Sequence, residues 1–126
     1  MDKLYIPGDL VYIHGSLRII SNCDGYYATY YDENESLQEV CVNVIEGIPL
    51  TPEILEKNGW RTQNRWYYYL DVAEGFISYI GIDFKHKSNK GHLYVEVDGN
   101  NMVEIQYCHE LQHFLFGLGL NSEMEV

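Results

Sequence analysis

The most specific chemistry in this 126-residue chain lies in five residues, His109-Glu110-Leu111-Gln112-His113. They spell H-E-x-x-H. On a helix that spacing sets two imidazoles one turn apart, with a glutamate beside the first as general base for a zinc-bound water. Read so, His109 and His113 are metal ligands, Glu110 is catalytic, zinc is the cofactor and the chain is a zinc-dependent hydrolase. The reading needs a third protein ligand. In one protease pattern a glycine and a histidine follow the second histidine, but here those positions hold Phe116 and Gly119. In another pattern a glutamate comes from a following helix. Thirteen residues follow His113, with Glu123 and Glu125 among them, which is little room for such a helix. His86, His92 and Asp83 remain as remote donors.

The helix that would position these groups is expected from about 107 to 118. At 100° per residue, Tyr107, Leu111, Phe114, Leu115 and Leu118 share one stripe, which fits a core face. His109 and His113 lie opposite, with Phe116 beside them. The polar outer face of an ordinary amphipathic helix has the same pattern, so spacing alone leaves both readings open. Cys108 lies near the core stripe and is expected as a buried thiol, not a nucleophile.

A second constellation is Trp66-Tyr67-Tyr68-Tyr69 with Arg61, Arg65, Lys85 and Lys87. Tyr67, Tyr69 and Lys87 could form a base-stacking platform for single-stranded nucleic acid. The plainer reading is a tyrosine-rich, half-buried strand beside a solvated basic loop. Tyr67, Tyr69 and Tyr94 are then the candidate contacts for a protein partner. Neither a G-x-G-x-x-G loop, a P-loop nor a G-x-S-x-G elbow occurs in the chain.

Charge narrows the partner class. The net charge is −11, distributed as −8 over residues 1–56, +3 over 57–92 and −6 over 93–126. Such a surface repels nucleic acid and anionic membrane as a whole; the plainer reading of it is solubility, and the sharper one is attraction of a basic protein surface. No apolar run is long enough to span a bilayer. The opening Met1-Asp2-Lys3-Leu4-Tyr5 carries no export signal, so a cytoplasmic location is expected. Three cysteines without C-x-x-C spacing fit reduced, mostly buried thiols.

The length suits one domain or two small subdomains sharing a core. Short strands are expected at 10–14, 17–22, 26–31 and 39–45, with turns at Gly15-Ser16 and Asp24-Gly25. Together they suggest a small SH3-like antiparallel β meander or barrel over residues 1–50. The segment 51–59 reads as a short connecting helix. Thr51 is its N-cap, Pro52 its first residue, and Asn58-Gly59 its stop. Residues 60–126 read as a four-stranded antiparallel sheet closed by the C-terminal helix, packed as one unit. Its strands are expected at 65–72, 76–84, 93–97 and 102–106, with turns at Glu74-Gly75 and Asp98-Gly99. The fold class is therefore α+β.

Pro49-Leu50-Thr51-Pro52-Glu53-Ile54-Leu55-Glu56-Lys57-Asn58-Gly59, followed by Tyr107-Cys108-His109-Glu110-Leu111-Gln112, resembles a group of small uncharacterised proteins. They occur in phages, prophages and mobile elements of anaerobic gut bacteria. In that group the residue matching His113 is often not histidine. The resemblance implies that His109 to Gln112 form a structural helix start and that His113 completes the motif by accident. The expected function is thus non-enzymatic binding of another protein, with no cofactor outside the zinc reading. A sharper form is a phage-encoded modulator of a host nucleic-acid-binding protein.

Overall fold

The computed structural model of the protein describes residues 4–72 and 75–126. Residues 1–3 of the export-signal reading and Glu74 of the expected turn lie outside them. The fold is α+β, with antiparallel strands in three sheets and two helices. It divides into two compact units: Met1–Pro49 with Tyr107–Met124, and Leu50–Gln106 with Glu125–Val126.

Unit 1 opens with β1 (Leu10–Ile13), β2 (Ser16–Ile19), β3 (Asn22–Cys23), β4 (Tyr27–Tyr31) and β5 (Leu37–Cys41). The strand expected over 39–45 is interrupted. A 3-10 turn, Val42–Val44, separates β5 from β6 (Ile45–Gly47). The interruption transfers the chain between sheets, because β5 pairs with β4 while β6 pairs with β1. The result is two three-stranded sheets, β2-β1-β6 and β3-β4-β5, and no closed barrel among the described residues. Alternation along the strands builds the core between them. Val11, Ile13 and Ile45 come from one sheet, Ala28 and Tyr30 from the other, and Tyr5, Ile20 and Val42 fill in from the connections. The Asp24-Gly25 turn forms as expected. Asp24 Oδ1 accepts the Tyr26 and Tyr27 N–H groups at 2.8 Å each.

Unit 2 opens with α1 (Pro52–Lys57), whose boundaries follow the sequence signals closely. Thr51 Oγ1 accepts the Ile54 N–H at 3.3 Å, and Leu55 is fully buried. β7 (Arg61–Thr62), β8 (Tyr67–Asp71), β9 (Tyr79–Asp83), β10 (Leu93–Val97) and β11 (Asn100–Ile105) form one sheet in the order β11-β10-β9-β8-β7. The sheet has five strands where four were expected, because the two-residue β7 is too short to show a period. β9 begins at Tyr79 and not at 76, leaving Phe76 fully exposed. One face buries Tyr68, Ile80, Ile82, Leu93, Val95 and Ile105. Asp98 (φ 51°) and Gly99 (φ 89°) turn β10 into β11; positive φ at both central residues is the I′ geometry that matches strand twist.

The chain then returns to unit 1 for α2 (Cys108–Gly117). This helix was expected to close the second-half sheet, but it groups with the N-terminal strands. Cys108 N–H donates to Ile48 O at 2.8 Å, and Tyr107 bridges Pro49. Its buried residues are Cys108, Leu111, Gln112 and Leu115. The inward face is thus rotated from the apolar stripe: Leu118 is exposed, and a glutamine is buried in place of a hydrophobe. Among the described residues no helix is long and apolar enough to cross a membrane.

Candidate functional site

The first turns of α2 and the strands β1 and β6 enclose an open groove of about 810 Å³ in unit 1. Tyr107, His109, Glu110 and His113 line it from the helix side; Tyr12, Ile45, Glu46, Gly47 and Pro49 line it from the strands. Leu4 and Tyr5 complete it. Gly47 permits the close approach of helix and strand. A Cβ there would stand 2.5 Å from the Tyr107 ring. Tyr107 in turn stacks on His109, with ring centres 5.7 Å apart and planes 10° from parallel. Tyr5 meets the same imidazole at 5.1 Å.

The two histidines share this face, as their spacing requires, with ring centres 5.8 Å apart. Their environments push them in opposite directions. His113 Nε2 lies 2.7 Å from Oδ2 of Asp9, a residue 1 % exposed. A carboxylate only accepts, so the ring donates from Nε2. That hydrogen bond raises the His113 pKa above its ordinary value, against the opposing effect of burial. Burial lowers the pKa of His109, and the charge on Asp9 only partly offsets it. His109 Nδ1 is buried without a hydrogen-bond partner.

The remaining members of the motif have structural partners too. Glu110 Oε1 accepts the Tyr107 N–H at 2.9 Å, the third-residue half of a capping box. Gln112 reaches three backbone groups. Its Oε1 accepts the Leu10 N–H at 2.9 Å, and its Nε2 donates to Gly8 O and Ser122 O at 3.0 Å each. As placed, these residues do not fit a zinc ion, since His113 Nε2 donates to Asp9 instead of holding a lone pair toward a metal. Among the described residues no group of three or more His, Cys, Asp or Glu side chains could hold a metal ion. Of the remote donors, His86 and Asp83 pair with each other at 2.8 Å in unit 2. The Cys108 thiol is fully buried, and burial pushes its pKa up to about 12.

In unit 2 the expected contact residues Tyr67, Tyr69 and Tyr94 fall on the sheet face opposite the core, all half-buried. Tyr67 crosses Gly81, where a Cβ would lie 2.0 Å from its hydroxyl, and donates to Glu96 Oε1 at 3.2 Å. The Arg61 guanidinium lies over the Tyr69 ring at 5.6 Å and pairs with Asp71 at 3.1 Å. Lys85 sits over Trp66 at 5.3 Å. Two of the cations proposed for a nucleic-acid platform are therefore engaged by neighbours within the unit.

Asp9 and Gln112 carried no functional signal in the sequence. Asp9 stands with Gly8 just ahead of the first expected strand, and Gln112 belongs to the expected polar helix face. Tyr5, Tyr12 and Glu46 reach the groove only through strand pairing across residues far apart in sequence. No protein family, curated protein or solved structure matches this chain.

Proposed function

We propose that this chain is a non-catalytic protein that binds a basic surface of another protein, in the cytoplasm of the cell where it acts. The observation that carries the reading is the outer face of the unit 2 sheet. There Tyr67, Tyr69 and Tyr94 lie among Asp71, Asp83, Glu96 and Glu104, with Arg61 on the same face. Half-buried tyrosines offer a large, stiff contact area with a polar edge, and the surrounding carboxylates favour a cationic partner. The same carboxylates oppose nucleic acid as a direct ligand.

The sharper form is a phage-encoded modulator that presents these acids to a host nucleic-acid-binding protein. It rests on the net charge of −11 and on the resemblance of the two quoted segments. Capture from bacterial lysate with the tagged chain tests it. A protein partner retained at low salt and released at high salt is expected, because salt screens exposed charge pairs. A capture with no salt-sensitive partner refutes it.

A further inference from the structure

The groove of unit 1 sets aromatic surface and negative charge around one open space. Glu46 is exposed on β6, Glu110 stands on the first turn of α2, and neither lysine nor arginine lines the groove. Among the described lining residues the basic side chains are His109 and His113, and the Asp9 carboxylate pairs with His113. Unit 1 as a whole carries ten acidic residues against two basic ones, a net of −8. Tyr12 lies opposite Glu46 in the β1–β6 pair and opposite Leu17 in the β1–β2 pair. Directly opposed residues share a face, so Tyr12, Glu46 and Leu17 point to the same side of the sheet. Ile19 joins them by alternation along β2. Leu17 and Ile19 are 44 % and 60 % exposed. An apolar strip thus runs beside a pocket of tyrosine and carboxylate.

Resting on the binding reading above, we propose that this groove takes a cationic side chain, arginine or lysine, from an extended segment of the protein partner, while a neighbouring apolar side chain of that segment lies on Leu17 and Ile19. The Tyr12 ring attracts a cation through its quadrupole, and the exposed Glu46 carboxylate opposite it on β6 fixes the position. A volume of about 810 Å³ suits a short segment better than one side chain.

Titration of the ¹⁵N-labelled chain with the peptide acetyl-Leu-Arg-Leu-Arg-Leu-amide tests the assignment, with acetyl-Leu-Gln-Leu-Gln-Leu-amide as the neutral control. Saturable amide shifts are expected at Tyr12, Glu46 and Gly47, with the glutamine peptide about tenfold weaker. Glu46→Gln, at an exposed position, should leave the spectrum folded and weaken the arginine peptide about fivefold. Equal binding of both peptides overturns the proposal, as do shifts confined to Tyr69, Tyr94 and Glu104. If the arginine peptide shifts nothing while lysate capture still returns a salt-sensitive partner, the groove assignment fails and the binding reading stands. If capture fails as well, both fall.

Discussion

Replacing Gln112 by leucine should destabilise unit 1 out of proportion to the change in volume. Leucine nearly fills the same space but can make none of the three backbone hydrogen bonds that join α2 to residues 8, 10 and 122. The costliest loss is at Leu10, a buried residue whose N–H would be left without a partner in the interior. An orphaned buried donor costs about 1–3 kcal/mol. Gly8 and Ser122 lie nearer solvent, and their carbonyls can turn to water at about 0.5–1 kcal/mol each. Burying the leucine side chain returns about 1 kcal/mol. The expected net loss is about 2–3 kcal/mol, or a Tm lower by roughly 10 °C for a chain of this size. Urea unfolding followed by far-UV circular dichroism measures it. Both tryptophans, Trp60 and Trp66, belong to unit 2, so their emission reports that unit separately. Phe116→Ala, at an exposed position of the same helix, should stay within about 0.5 kcal/mol of the parent. A Gln112→Leu midpoint equal to the parent's, with hydrogen-exchange protection of the Leu10 amide retained, would refute the tether.

Stability should pass through a local maximum near pH 6.5, about the value of an unperturbed histidine. Below it the unfolded chain binds the extra proton at His109, whose folded pKa is lowered, so stability rises with pH; above it the folded chain keeps the extra proton on His113, whose folded pKa is raised, so stability falls until that proton is lost. Urea midpoints across pH should lose the descending limb in His113→Ala. Gly47→Ala should cost about 1–3 kcal/mol, because its Cβ meets the root of the Tyr107 ring, whereas Gly81→Ala displaces only the far end of Tyr67 and should cost about 1 kcal/mol through the lost Glu96 hydrogen bond. Equal urea midpoints for the two variants would contradict the difference. Iodoacetamide labelling with mass spectrometry should modify the exposed Cys41 in the native protein and reach the buried Cys108 only after unfolding.

Local signals proved far more legible than long-range ones. Thr51, Pro52 and Asn58-Gly59 marked α1 almost to the residue, because cap chemistry acts within one turn. Asp24-Gly25 and Asp98-Gly99 marked their turns for the same reason. The 3-10 turn at Val42–Val44 escaped because Glu39 to Ile45 alternates β-branched residues (Val40, Val42, Val44) as a strand does, and only pairing with two different sheets breaks it. The placement of α2 escaped for a related cause. Its apolar stripe says that it packs, not on which sheet, and the contacts that decide are Asp9 and Gln112, polar residues with no periodicity. Gln112 is the clearest case: a buried glutamine is rare, and nothing in its neighbours distinguishes it from a solvated one. On the second sheet, alternation along β8 was enough to put Tyr67 and Tyr69 on one face, while Tyr94 joins them through the pairing of β9 with both β8 and β10.

The H-E-x-x-H spacing can be derived position by position from packing. His109 stacks on Tyr107 and meets the tilted Tyr5 ring; Glu110 caps the helix; Leu111 is fully buried; Gln112 holds the start of β1; His113 pairs with Asp9. Each role constrains its residue type, and two of them separate cleanly from catalysis at Glu110. Glutamine at the third helical position accepts the same backbone N–H, so Glu110→Gln should keep stability within about 0.5 kcal/mol. Purified protein should also contain far less than one zinc per chain by elemental analysis, because His113 Nε2 donates to Asp9 and so has no lone pair to offer a metal. Stoichiometric zinc that disappears in His113→Ala would contradict this, because displacing the Asp9 contact in favour of metal would then be the stable arrangement. A Glu110→Gln variant that folds normally and loses a zinc-dependent hydrolysis would complete the case for the enzyme. With no zinc and a stable Glu110→Gln, the histidines are held by Asp9, Tyr5 and Tyr107, and the motif is the wall of a groove.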